Sequence, residues 1–176
     1  MATVNCDPHA DFRIMEGRHS GNPFTYADHD GLLGGYCVLG AHENYNSHEM
    51  LARMAQRMYP LFYWEEVVRG QKTWAEQVER AIAYLSRSSQ VIGLELDLDS
   101  IKHLPVSAQT PFGITEEQAC YFIHTVARVL DTKYLHLSEA APPQAANGVR
   151  TVGKVLAKTV AEYVRGRETY HNLNAR

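Results

Sequence analysis

Five short apolar runs recur along this chain of 176 residues, and the first, fourth and fifth lead into candidate acidic ligands. The runs are Thr3–Cys6, Tyr36–Gly40, Leu61–Trp64, Val91–Leu98 and Tyr134–Leu137. Their length suits strands. Amphipathic segments lie between them. Ser47 is placed to cap a helix with Leu51, Met54, Ala55 and Met58 on one face. Thr73-Trp74-Ala75-Glu76 reads as a capping box, opening a helix that turns Ala75, Val78, Ile82 and Leu85 inward. Thr115-Glu116-Glu117-Gln118 is a second box, ahead of Ala119, Phe122, Ile123, Val126 and Leu130. A last helix carries Val152, Val155, Leu156, Val160 and Tyr163. Strands alternating with helices predict an α/β architecture. The expected fold has three layers, α-β-α, around a mainly parallel sheet of about five strands. Residues near 18–35 and 100–114, rich in Gly, Pro, Ser and Asp, read as long loops.

With 45% hydrophobic and 21% charged residues, residues 1–176 have the composition of one soluble domain with a core. A net charge of −3 carries no basic surplus for nucleic acid. No apolar run approaches the ~18 residues of a membrane span. The start, Met-Ala-Thr-Val-Asn-Cys-Asp, lacks the basic head and apolar stretch of a secretory signal. Cys6, Cys37 and Cys120 are odd in number and show no CxxC spacing. They read as reduced, mostly buried thiols of a cytoplasmic protein.

The acidic groups carry the chemistry. Asp7, His9 and Asp11 follow the first apolar run at i, i+2 spacing, which fans side chains out on one side of an extended chain. Asp97 and Asp99 end the fourth run and Glu139 ends the fifth. In an open parallel sheet, ligands bind beyond the carboxyl ends of the strands, so all three groups arrive at one rim. A buried strand such as Val91-Ile92-Gly93-Leu94-Glu95-Leu96-Asp97 should not carry carboxylates unless they are paired or bind metal. Several hard oxygen donors with a single imidazole suit Mn²⁺ better than a structural zinc. Glu95 lies deeper on the same strand face and reads as hydrogen-bonded in the interior. His19, in Arg18-His19-Ser20-Gly21-Asn22-Pro23-Phe24, sits where a loop can approach a pocket and is a candidate for substrate contact or proton transfer. Among the other histidines, His42 follows a strand end and is the nearest outsider to a metal site.

These residues resemble the ureohydrolase superfamily of arginases, agmatinases and formimidoylglutamases, most closely the formimidoylglutamase branch. The family's Asp-x-His-x-Asp is Asp7-Pro8-His9-Ala10-Asp11, and its Asp-x-Asp is Asp97-Leu98-Asp99. Its glutamate before a proline is Glu139 in Ser138-Glu139-Ala140-Ala141-Pro142, and Arg13 stands where the branch has Asp-x-Arg. The Gly-x-Pro-Phe loop is Gly21-Asn22-Pro23-Phe24, preceded by Ser20 where arginases carry a histidine. The resemblance implies two Mn²⁺ ions. One would be held by Asp7, His9, Asp97 and Asp99. The other would take Asp7, Asp11, Asp97 and a histidine from a Gly-Gly-x-His motif that family members carry upstream and this sequence lacks. Asp7, His9, Asp97 and Glu139 would be catalytic. Arg13, His19, Ser20, Asn22 and Glu139 would line the substrate site. Family members are about twice this long. The resemblance therefore implies a truncated arginase-like fold with local strand order 5-4-1-2-3, an exposed edge at the fifth strand, and a homo-oligomer or a complementing N-terminal half as partner.

The expected activity is hydrolysis of C–N bonds in an amidine-type small molecule, first N-formimidoyl-L-glutamate to L-glutamate and formamide, a step of histidine degradation. Two other readings stand beside it. One is a catalytically impaired remnant that binds a single ion or serves as an interaction domain. The other is an arginase, an agmatinase or a related guanidino hydrolase.

Overall fold

The computed structural model describes residues 1–89 and 91–175. The chain runs β1 (Ala2–Cys6), α1 (Pro23–His29), β2 (Gly35–Ala41), α2 (His48–Gln56), β3 (Leu61–Tyr63), α3 (Trp64–Val68), α4 (Trp74–Ser88), β4 (Ile92–Asp97), α5 (Glu116–Val129), β5 (Thr132–Ser138) and α6 (Gly148–Asn174). Single 3₁₀ turns occupy Leu98–Ser100 and Pro142–Gln144. The five strands form one sheet in the order β3-β2-β1-β4-β5. Every pairing is parallel.

The expected α/β sheet, with its local strand order, is the one observed. Strand alternation explains the layers. Ala2, Val4 and Cys6 of β1, with Ile92, Leu94 and Leu96 of β4, turn to one face and pack with Trp74, Val78, Ala81 and Leu85 of α4 and with Phe122, Ile123 and Val126 of α5. Val152 and Val155 of α6 join the same core. On the other face, Tyr36 and Val38 of β2 pack with Met50 and Met54 of α2, Tyr59, and Phe12 from the loop after β1. Both predicted capping boxes are present. Thr73 accepts from the Glu76 N–H and Thr115 from the Gln118 N–H, and each partner side chain returns the bond to the cap backbone.

Several local expectations are corrected. The stretch read as loop near 18–35 contains α1, because Pro23 occupies its first turn, where proline's fixed φ favours helix and its missing N–H costs nothing. Ser47 does cap α2 by accepting from the Met50 N–H, but the buried face is Met50 and Met54. Met58 lies beyond the helix in the left-handed region at φ 57° and is 82% exposed. Trp64 ends no strand; it opens α3. Val160 is exposed, and Thr159 takes its place inside. No helix among the described residues is long and apolar enough to cross a membrane.

Candidate metal centre

With all strands parallel, every strand's carboxyl end opens on the same rim. Cys6 pairs with Leu96 across β1 and β4, so the residues that follow them, Asp7 and Asp97, arrive side by side. Oxygens from Asp7, Asp11 and Asp97 lie within 4.8 Å of one another. Asp7 and Asp97 are buried and Asp11 is half-buried. Asp7, Asp97 and Asp99 are aimed by neighbours. Asp7 accepts from the Asn5 amide at 2.9 Å and from the His9 N–H at 2.7 Å. Asp97 accepts from the Asp99 N–H at 2.8 Å and from the Ser138 hydroxyl at 2.9 Å. Asp99 accepts from the Ala108 N–H at 3.2 Å. Asp11 adopts φ 46° and Glu139 φ 63°, the left-handed region that costs non-glycine residues energy and clusters at functional sites.

The electrostatics are those of a site waiting for positive charge. Burial, then the Asp97 charge, pushes the Asp7 carboxyl well above the usual carboxylate range. Burial with the Asp7 and Asp97 charges pushes Asp11 up to about 9. Burial raises Asp97 to about 6, with Asp99 adding to the rise. Converging carboxylates with low exposure retain protons or take a cation. The oxygen donors, with His9 nearby, fit a hard divalent ion such as Mn²⁺.

A cavity of about 220 Å³ opens onto this trio. His9 and Asp99 line it but stand outside the tight convergence of the three carboxylates. The His9 Nδ1 lies 3.2 Å from Asp7 Oδ1. Arg13, His19, Ser20 and Glu139 also line the cavity. Gly21 permits the approach of the first two, since a Cβ there would meet the Arg13 side chain at 3.1 Å and His19 at 3.4 Å. Glu139 receives the Ser107 hydroxyl on its carboxylate, and its carbonyl accepts the Ser107 N–H at 3.0 Å.

Asn22 is not on the cavity wall. It is fully buried, accepts from the His19 N–H at 3.1 Å, and donates to the Ile14 and Gly17 carbonyls at 3.0 and 2.8 Å. It shapes the loop that carries His19 and Ser20. His42 is also off the wall. It is buried, 3.7 Å from Glu65, and its ring lies on Tyr45 at 4.7 Å. Burial lowers its pKa, against the opposing pull of Glu65. Glu95 is hydrogen-bonded in the interior, as expected of its strand position, accepting from Tyr134 and meeting His136 Nδ1, each at 2.5 Å. Cys6 and Cys37 are buried packing groups whose thiols burial pushes up. Tyr45, Ser107 and Ala108 complete the wall. They come from loops after β2 and β4, and their only sequence signal was that such loops cover the carboxyl rim.

No family model and no curated protein matches the sequence. Solved structures do match its backbone. Formimidoylglutamase from Bacillus subtilis subsp. subtilis str. 168 superposes on 95% of this chain with a TM-score of 0.85 and 17% identity. The chain has an arginase-like α/β fold. The same fold relates it to Trypanosoma cruzi formiminoglutamase solved with Mn²⁺, at a TM-score of 0.78, 19% identity and 94% coverage of this chain. Proclavaminate amidino hydrolase from Streptomyces clavuligerus matches over 97% of the chain at a TM-score of 0.77 and 18% identity. The chain spans about half the length of these structures, 53%, 56% and 55% of them respectively. The parallel sheet explains why Asp7, Asp97 and Glu139 reach one rim, since β1, β4 and β5 are adjacent and co-directional within it.

Proposed function

We propose that this chain carries the metal centre of a hydrolase that cleaves C–N bonds in amidine-type substrates, with N-formimidoyl-L-glutamate as the first substrate. The convergence of Asp7, Asp11 and Asp97 within 4.8 Å, on a fold shared with amidino hydrolases, carries this reading. Asp7, His9, Asp97 and Asp99 would hold one Mn²⁺ ion, and Asp7, Asp11 and Asp97 a second. When bound, the ions supply a water nucleophile at neutral pH and charge stabilisation at the carbon under attack. The protein's own groups do the rest. Glu139, steadied by Ser107, accepts hydrogen bonds from the cationic formimino nitrogens and turns the carbon toward the carboxylates. Arg13 places a guanidinium on the same wall, which suits the carboxylates of a glutamate-derived substrate and disfavours a substrate ending in an amine. His19 and Ser20 line the cavity, with His19 held by the Gly21 N–H at 3.1 Å on its Nδ1. Three free cysteines support a reducing cytoplasmic setting.

The test is a substrate panel with Mn²⁺, comparing N-formimidoyl-L-glutamate, arginine and agmatine by release of formamide or urea. Formamide release is expected. Urea release without formamide release would transfer the chain to the guanidino hydrolases.

A specific observation also favours a partner. β5 is an edge strand of the sheet, with its outer side unpaired among the described residues. Its outer backbone groups are available for pairing with another chain. We propose that a second copy, or a separate chain supplying the rest of the sheet, covers this edge. A chain that binds one ion and acts through that interface is the alternative if turnover is absent.

A further inference from the structure

The segment that follows β2 grips the metal-ligand loop at three points. Asn46, 8% exposed, donates from Nδ2 to the Pro8 carbonyl at 3.0 Å and to the His42 carbonyl at 2.9 Å. Its Oδ1 accepts the Ala10 N–H at 2.8 Å. One amide thus holds the backbone on both sides of His9 and ties it to the end of β2. The His42 N–H reinforces this by donating to the Pro8 carbonyl at 3.0 Å. The next residue back fixes the ring. Tyr45 stacks with two imidazoles, with His42 at 4.7 Å and a 9° interplanar angle and with His9 at 5.6 Å and 21°. Its hydroxyl shares a 3.2 Å hydrogen bond with Thr110 from the loop after β4. The ring is therefore held by its stack on His42 and by its hydroxyl, and its near-parallel contact with His9 can orient that imidazole.

We propose that Tyr45 and Asn46 are positioning residues of the metal centre, Asn46 setting the backbone of Asp7–Asp11 and Tyr45 setting the plane of His9. The proposal rests on the metal-centre reading above. Its physical logic is that of outer groups that orient ligands and whose loss costs metal affinity although they touch no ion. Asp11 needs such a hold most, because it keeps φ 46° immediately after the residue whose N–H Asn46 engages. A carboxylate in that backbone region stays there only while its surroundings enforce it.

The experiment compares wild type, Tyr45→Phe, Tyr45→Ala and Asn46→Ala by titration calorimetry with Mn²⁺, thermal melting without metal, and residue-resolved hydrogen exchange without metal. Tyr45→Ala should weaken Mn²⁺ binding by about tenfold or more. Tyr45→Phe, which keeps the ring and its stacks but loses the Thr110 tether, should fall between wild type and Tyr45→Ala. Asn46→Ala should accelerate exchange of the Ala10 amide while amides of β1 stay protected. A role confined to stability would lower melting in Tyr45→Ala and leave the Mn²⁺ affinity of the folded protein unchanged, and that result overturns the proposal for Tyr45. Unchanged Ala10 exchange in Asn46→Ala overturns it for Asn46. If wild type itself takes up no Mn²⁺, the metal-centre reading falls, and exchange across Asp7–Asp11 in Tyr45→Ala and Asn46→Ala then decides the positioning role alone: faster exchange upholds it and unchanged exchange ends it.

Discussion

Asp7 and Asp97 are ninety residues apart in the chain, yet their carboxylate oxygens come within 4.8 Å. Parallel pairing of β1 with β4 forces the approach, because Cys6 and Leu96 are register partners and the next residue of each strand is an aspartate. Two low-exposure acids so close repel unless one is protonated or a cation lies between them. Most of the predictions follow from that pair.

Mn²⁺ should raise the melting temperature. Ligand at about a hundred times its Kd adds about 2.7 kcal/mol to the native state, roughly 5–10 °C for a chain of this size. Asp97→Ala should remove most of the gain. Differential scanning calorimetry reads both, and an unchanged melting curve at millimolar Mn²⁺ would refute a metal site.

The metal-free protein should lose stability as pH rises. Asp11 is pushed up to about 9 and Asp97 to about 6, so between the ordinary carboxyl value near 3.8 and those values the folded state binds more protons than the unfolded state. Stability then falls with pH across that window. Mn²⁺ must displace the same protons, so its affinity should rise from pH 6 to pH 9. Calorimetry in buffers of different ionisation enthalpy should show net proton release on binding; proton uptake would reverse the assignment.

Glu139→Gln should separate substrate handling from metal holding. It keeps the Ser107 contact geometry and removes the charge that meets a cationic amidine. A hydrogen bond to a charged group is worth about 1.5–3 kcal/mol, so kcat/KM should fall roughly 10- to 100-fold with Mn²⁺ affinity unchanged. Loss of Mn²⁺ binding in this variant would make Glu139 a ligand instead.

The β5 edge should drive association. Static light scattering is expected to show a dimer or larger species across a wide concentration range. A stable monomer throughout would rule out self-association as the cover for Thr132–Ser138.

Fold stability should depend on the α5 side of the sheet. Phe122 is fully buried among β4, α4 and α6, and Phe122→Ala should cost about 3–5 kcal/mol. Thr115→Ala, which removes one capping box, should cost about 1 kcal/mol. Urea denaturation compares the two, and an equal cost would mean that the core around Phe122 collapses to refill its space.

The sequence by itself determined the α/β class, the five strands, the four longer helices α2, α4, α5 and α6, both capping boxes and the acidic residues at three strand ends. Those features are local. Apolar periodicity selects strand or helix, and Thr73 and Thr115 announce their helices within four residues. The carboxylates were legible because ionisable side chains at the ends of buried runs demand a partner. Tertiary structure alone decided the rest. Of the expected α2 face Met54 is buried, but Met50 replaces Leu51, Ala55 and Met58 inside because the sheet, and not the helix's own pattern, chooses which side is covered. Asn22 proved to be a buried loop brace, since a polar residue beside a candidate site reads the same whether it faces a cavity or the backbone carbonyls beneath it. Tyr45 and Asn46 gave no local signal. Their partners His9, Ala10 and Thr110 lie 36, 36 and 65 residues away, and only the parallel sheet, by bringing the loops after β1, β2 and β4 to one rim, makes them neighbours.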